Sequence, residues 1–378
     1  DEELANEQKL ALALSGWLLG GSGTENMAVA ASLWRVREIV REYLVADDEA
    51  TRQRLLQELA SLDGGSPRYV SRILAAMKPP KPATVSPPGD AQVEAGEAGE
   101  AGEVAAAAAD GASGQVPGLF ALQVAGVDED QPIDYLVQLP PEYDPHRRYP
   151  TVVTLHAAGS TPRMQIEWWA GAYQQKLKMR TGPATRQGYV VIAPAWARER
   201  QRRYEYSARE HAAVLYSLRD ACQRFSIDTD RVFLSGHSWG GDAAWDIALA
   251  HPDLWAGVIP IVANSARYVN HYTPNARGLP MYFVGGQLDG NWLQDNGMES
   301  DRYMKRAGYD CTIVEYRGRG HEHFFGEIQR IFDWMQLPSR RRTFYPREIE
   351  VVSMRPWDYF FWWLEIDGIP RPSIVYPA

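Results

Sequence analysis

The chain has 378 residues, 45% of them hydrophobic and 23% charged, the balance of an ordinary soluble globular protein. Its formal net charge is −9, so it is not built to cling to phosphates, and nucleic acid is not expected as a partner. Its nearest approach to a membrane span, LALALSGWLLGG from Leu10, falls short of the roughly 18 apolar residues needed. The two cysteines cannot build a disulfide framework.

This length suggests about two domains, one of them with a full core. Residues 1–78 read as a helical region. Leu33, Val36, Ile39, Val40, Tyr43 and Leu44 fall on one stripe, with Arg and Glu opposite. Asp47 and Asp48 interrupt that pattern or start the next helix. Helices of this kind are expected to pack on a neighbouring domain or on a second copy of the chain, so homo-oligomerisation through them is the partner expectation. The acidic opening DEELANEQ has the wrong charge for the start of a signal peptide. The first residue is not Met, however, which leaves room for a removed leader. That slightly favours a secreted or periplasmic location over a cytoplasmic one, and the compartment stays open.

Residues 79–117 are Pro-rich and then become a Gly-Glu-Ala repeat. Such a segment buries too little apolar area to offset its ordering entropy, so a flexible acidic linker is expected. Strands begin near Leu119. LFALQVAG and IDYLVQLP form a hairpin pattern around VDEDQP. YPTVVTLHAAGS, GYVVIAPAW, RVFLSG, AGVIPIVAN, LPMYFVGG and CTIVEY are buried strands, and REHAAVLYSLRDACQRF is an amphipathic helix. Strands alternating with helices over 118–337 predict an α/β fold with a mostly parallel sheet. From 338 to 378 the pattern turns to β, in REIEVVSM and YFFWWLEI, and a C-terminal β extension is expected.

Gly236–Gly240, Gly-His-Ser-Trp-Gly, stands between an apolar strand and a helix of small residues. This is the setting of a nucleophile elbow, with Ser238 as nucleophile and a helix N-terminus facing it. A serine hydroxyl needs a base, and the base an orienting acid. Asp289 follows the strand MYFVGG, and His321 follows CTIVEY and a Gly-Arg-Gly. The order acid then histidine is the one that this architecture requires. His323 is the rival base and Asp295 the rival acid. Gly318 and Gly320 deliver His321 directly after its strand, and Asp295 falls inside a helical pattern, so His321 and Asp289 are preferred. HEHFF is not a His-Glu-x-x-His zinc motif, since Phe325 holds the second histidine's place. Neither a metal nor a cofactor is expected. The oxyanion hole needs two backbone N–H groups, assigned to Trp239 and to Ala158, with Ala157 next.

With these motifs in place, residues 119–337 resemble an α/β-hydrolase catalytic domain of the esterase D, polyhydroxybutyrate depolymerase and feruloyl esterase type. LHAAGS, GHSWGG, GGQLDG and GRGHE match its oxyanion loop, elbow, acid and histidine. The resemblance implies hydrolysis of a carboxylic ester through an acyl-enzyme. Ala157 departs from the Gly that the type usually carries after its His. Only about fifteen residues separate GVIPIVAN from LPMYFV, too few for a large lid, so an open site for bulky or polymer-linked esters is expected. Trp196, Trp168, Trp292 and Tyr268 are the candidate substrate-binding aromatics. Trp196 is the first choice for a pocket wall. Glu210 and His211 are read as capping or packing groups, and Asp242 and Asp246 as loop-fixing ones. Cys222 and Cys311 fall too far apart in this fold to pair. Two other functions remain on this reading: a prolyl-oligopeptidase-like peptidase, against which stands the lack of blade-length repeats, and a polysaccharide-binding protein that has lost catalysis.

Overall fold

The computed structural model describes residues 4–21, 23–46, 48–83, 116–128, 131–198, 201–290, 292, 296–342 and 346–368. The expected linker, apart from its two ends, lies outside the described residues. The chain divides into two compact units. The first comprises Asp1–Ala83 with Asp144–Arg148 and Asp220–Ser226. The second comprises Thr84–Tyr143, Tyr149–Arg219 and Ile227–Ala378.

The first unit holds helices α1 (Asn6–Leu19), α2 (Met27–Val45), α3 (Glu49–Ala60) and α4 (Pro67–Ala76). Their ends are written in local chemistry. Asn26 Oδ1 accepts from the N–H groups of Ala28 and Val29 and caps α2. Asp48 accepts from Thr51 N–H at 2.7 Å and starts α3, while Asp47 lies outside the described residues. Gly20 ends α1 in the left-handed region, φ 67°. Of the expected stripe on α2, Leu33, Val36, Ile39 and Val40 are buried, and Tyr43 and Leu44 half-buried. Leu33, Val36 and Val40 pack with Leu18, Leu19, Ile73 and Met77 into one core.

The second unit is built on an eight-stranded sheet. Its strands are β1 (Leu119–Val124), β2 (Ile133–Gln138), β3 (Tyr149–Leu155), β6 (Val190–Pro194), β7 (Ile227–His237), β8 (Gly257–Ile261), β9 (Met281–Gly286) and β10 (Cys311–Tyr316). A separate small hairpin is made of β4 (Tyr173–Gln174) and β5 (Met179–Arg180). The order in the large sheet is β1-β2-β6-β3-β7-β8-β9-β10. β1 pairs antiparallel with β2 in the expected hairpin, and β2 pairs antiparallel with β6. From β6 to β10 every pairing is parallel.

Helices α5 (Pro162–Ala170), α6 (Pro183–Gln187), α7 (Ala208–Arg224, in this unit as far as Arg219), α8 (Trp239–Ala250), α9 (Gly297–Lys305) and α10 (Ile328–Met335) complete the unit. Ile166, Trp169, Ala184, Ile331 and Phe332, from α5, α6 and α10, pack on one face of the sheet against Val152, Val191, Phe233 and Val284. Phe283, whose neighbour in sequence Val284 faces that core, meets Trp245 of α8 edge-on at 4.6 Å. Cover on both faces explains why these strands read as continuous apolar runs rather than alternating ones.

The chain moves from β3 to β6 on one side, then returns past β3 to β7 and continues outward to β10. The direction of winding thus reverses around β3 and β7, and a crevice forms outside the carboxyl ends of strands at such a point. The loop that carries Ala158 follows β3, and Ser238 follows β7.

The C-terminal segment differs from its sequence pattern. Residues 346–354 form no ladder, and the described strands after Pro338 are only β11 (Phe360–Phe361) and β12 (Leu364–Glu365). Backbone groups that a neighbouring strand would pair are met by a side chain instead. Val352 N–H donates to Asn275 Oδ1 at 2.7 Å, and Asn275 Nδ2 donates to Val352 O at 2.9 Å. The segment lies within the second unit and buries Arg355, Asp358 and Phe361. Neither Cys222 nor Cys311 forms a disulfide.

Candidate active site

Ser238 sits between β7 and α8 with φ 54° and ψ −128°, a conformation costly for any residue with a side chain. The surrounding glycines are required by close backbone approach. A Cβ on Gly236 would lie 2.0 Å from Gly240 O, and one on Gly240 would lie 2.5 Å from Leu155 O. Ser238 N–H donates to Ile261 O at 2.9 Å, which ties the turn to β8. α8 starts at the next residue, so its positive end faces the serine.

Asp289 and His321 are brought together by the adjacent parallel strands β9 and β10, which end opposite each other at Gly286 and Tyr316. The loops beyond them are cross-linked. Gln287 N–H donates to Tyr316 O at 3.0 Å, Leu288 N–H to Arg319 O at 2.8 Å, and Gly318 N–H to Gln287 Oε1 at 3.1 Å. A Cβ on Gly286 would lie 2.4 Å from both Arg319 O and Gly320 O, so the histidine loop runs directly over that glycine. Across this joint, His321 Nδ1 and Asp289 Oδ1 are 2.9 Å apart. A carboxylate only accepts, so Nδ1 carries the proton and Nε2 presents a lone pair. The His321 side chain is 52% exposed and that of Asp289 16%.

His323 does not share this arrangement. Its backbone oxygen accepts from His237 Nε2–H and from Trp168 Nε1–H, each at 3.2 Å. These two bonds pin the loop two residues past His321. Burial holds the His237 imidazole down to about 3, so it stays neutral and serves as a donor. The sequence alone left His237 without a task, because nothing in it says which loop lies across the elbow. Asp295 lies outside the described residues.

Ala158 is exposed in the loop after β3, next to Gly159 at φ 70°. Trp196 is fully buried, and its Nε1–H donates to His156 O at 3.2 Å, anchoring the start of that loop. Its ring lies 5.2 Å from that of Trp239, whose Nε1 is buried without a hydrogen-bond partner. Trp168 is half-buried over the rings of His237 and Phe325. Trp292 is buried, covers Gly285 and donates to Ala263 O at 2.8 Å. Tyr268 is buried between Tyr206 and Tyr272 with the Arg355 guanidinium 4.2 Å above its ring.

Glu210 accepts from the N–H groups of Ser207 and Glu205 at the start of α7. Asp242 Oδ1 accepts from Asn264 N–H at 2.7 Å and fixes the loop after β8. Burial pushes the Asp242 carboxyl up to about 7. The unfolded value is about 4, so the folded state holds this proton more tightly. Its contribution is full below about pH 4 and is lost as pH rises through about 7. Asp242→Asn is therefore expected to flatten the decline of thermal stability between those values. Identical slopes of Tm against pH in both proteins would contradict this.

The strand order, the elbow and the joined acid and imidazole at the ends of β9 and β10 fit one architecture. The second unit has an α/β-hydrolase fold. Residues 129–303 match the model of the family described as "Putative esterase". A curated relative, "Probable carboxylesterase SOBER1-like" from Arabidopsis thaliana, is 25% identical over 116 residues, 29% of this chain and 43% of the relative. The chain thus spans less than half the length of the curated relative that it matches. Among solved structures, a thermostable esterase is 19% identical with a TM-score of 0.45, covering 58% of this chain and 63% of its own. A ferulic acid esterase is 15% identical with a TM-score of 0.46, covering 57% of this chain and 96% of its own. Helices α1–α4 lie outside the matched segment.

Proposed function

We propose that the protein is a serine carboxylesterase working through an acyl-enzyme. Ser238 Oγ attacks the ester carbonyl, and His321 Nε2 takes its proton and then gives it to the leaving alcohol. Asp289 holds the imidazole in the required tautomer and stabilises its cation. The backbone N–H groups of Trp239 and Ala158 receive the oxyanion, aided by the N-terminus of α8. Water then takes the place of the alcohol, and His321 acts as base again to release the acid. The observation that carries this reading is the Asp289–His321 hydrogen bond, formed by groups 32 residues apart at the same edge of the sheet as Ser238.

The exposed His321 imidazole supports an open site suited to bulky or polymer-linked esters such as feruloyl, acetyl-polysaccharide or polyester substrates. So does the connection from β8 to β9, which holds only the short 3₁₀ turns Arg267–Asn270 and Thr273–Ala276. Trp168, beside the histidine loop, is the aromatic best placed to meet a phenolic or sugar ring. Trp196, Trp292 and Tyr268 are buried, so any part they play in substrate binding is through packing rather than direct contact. Reaction with a fluorophosphonate, read by mass spectrometry, is expected to add one label per chain on Ser238. A chain that stays unlabelled under conditions where a known serine esterase reacts would overturn the proposal. A panel of hydroxycinnamate, acetyl-xylan and polyester substrates, with peptides alongside, then ranks the acyl groups.

A further inference from the structure

α8 runs for twelve residues from Trp239, Ser238's neighbour, to Ala250, a span of about 18 Å at 1.5 Å per residue. At its far end three buried side chains converge from distant parts of the sequence. His211 comes from the first turn of α7, His251 is the C-cap of α8, and Asp358 comes from the C-terminal segment. Their exposures are 1%, 7% and 0%. His211 Nδ1 lies 3.4 Å from His251 Nε2 and 3.8 Å from Asp358 Oδ1, and His251 Nε2 lies 3.9 Å from Asp358 Oδ1. We propose that these three atoms form a binding site for one divalent cation of the zinc class, distinct from the ester-cleaving site.

The first argument is protonation chemistry. His211 Nε2 faces Tyr204 Oη at 2.9 Å and Asp246 Oδ2 at 3.2 Å. The Tyr204 hydroxyl spends its own proton on Asp246 Oδ2 at 2.6 Å. Nε2 therefore meets only acceptors and must carry the ring proton, which leaves the Nδ1 lone pair aimed at the cluster. A carboxylate behind a histidine in this way fixes the tautomer and raises basicity, as the outer partners of zinc-bound histidines do. Asp358 has the complementary arrangement. Its Oδ2 is held by Arg355 Nε and by the Tyr272 hydroxyl, at 2.6 and 2.7 Å, while Oδ1 is buried with no hydrogen-bond partner.

The second argument is size. The triangle with sides of 3.4, 3.8 and 3.9 Å has its centre about 2.1 Å from each corner, matching the roughly 2.0–2.2 Å of zinc bonds to imidazole and carboxylate. The third is charge. One guanidinium, Arg355, faces two carboxylates, Asp246 and Asp358, so with neutral imidazoles the buried cluster holds one negative charge in excess. A cation at the centre offsets it. The fourth is access. A cavity of about 340 Å³ is lined by both His211 and His251, with Asp253, Leu254 and Trp357 beside them, and gives room for entry and for a water as fourth ligand. Two imidazoles and a single carboxylate suit zinc better than calcium or magnesium, which favour all-oxygen sets. A cation here clamps the C-terminal segment to the ends of α7 and α8, a structural task.

The test uses the full chain, stripped with a chelator, dialysed and titrated with zinc chloride by calorimetry, with metal content read by mass spectrometry. The expected result is one zinc per chain and a higher Tm with zinc than without. His251→Gln is expected to weaken binding by more than about 100-fold, beyond what loss of an outer partner alone costs. It should leave the metal-free Tm and Ser238 labelling unchanged. Asp358→Asn serves as the second variant and should abolish the absorption bands of tetrahedral cobalt seen on titrating the unmutated chain with Co²⁺. Absence of zinc uptake by the unmutated chain, or equal uptake by His251→Gln, would overturn the proposal.

Discussion

Replacing Ser238 by Ala is expected to lower the turnover of short p-nitrophenyl esters by about 10⁴- to 10⁶-fold, the loss typical when a triad nucleophile is removed. The fold should persist. The φ 54° conformation is set by the close approach of Gly236 and Gly240 and by Ser238 N–H on Ile261 O, none of which involves the hydroxyl. Circular dichroism and Tm close to those of the unmutated chain therefore belong to the prediction. The residual rate would come from the oxyanion donors and substrate positioning. Undiminished turnover in a well-folded Ser238→Ala would place the chemistry elsewhere and remove the basis for assigning His321 and Asp289.

The second large effect is on stability. Arg355 is almost fully buried, donates to Asp358 Oδ2 at 2.6 Å and to Asp246 Oδ2 at 2.7 Å, and lies over the ring of Tyr268. Arg355→Met keeps most of the stem volume but leaves two buried carboxylates facing each other uncompensated. Breaking a buried pair from one side costs about 3–5 kcal/mol, and urea unfolding should read a loss of that order. Adding Asp246→Asn and Asp358→Asn to Arg355→Met should recover a good part of it, since the penalty comes from stranded charge rather than from lost attraction. A loss below about 1 kcal/mol for Arg355→Met, the scale of an exposed pair, would mean that water reaches the cluster.

Much of the second unit was legible in its sequence because its strands are buried on both faces. TVVTL, VVIAP, GVIPI and MYFVG have no polar face to confuse with a helix, and glycine or small residues punctuate them. The elbow was legible for a related reason. Gly236 and Gly240 are fixed by backbone distances of 2.0 and 2.5 Å, so the constraint is local and shows in the spelling. The stripe on α2 was readable in the same way, from helical period, whereas Asp47 and Asp48 read only as a break or a start, and the capping bond of Asp48 shows in the fold. REIEVVSM misled because alternation records only which side chains face inward. It says nothing about whether a neighbouring strand or a side chain such as Asn275 satisfies the backbone.

The candidate reactive groups, their order along the chain and the local turns that only glycine can make are written in the residues themselves. Tertiary structure alone decided which distant groups meet. It put the His323 carbonyl against His237 and Trp168, buried Trp292 over Gly285 and Tyr268 under Arg355, and brought His211, His251 and Asp358 together across 147 residues of chain. Period and capping act over a few residues, whereas a buried polar cluster is stabilised by partners that the fold, not the sequence neighbourhood, delivers.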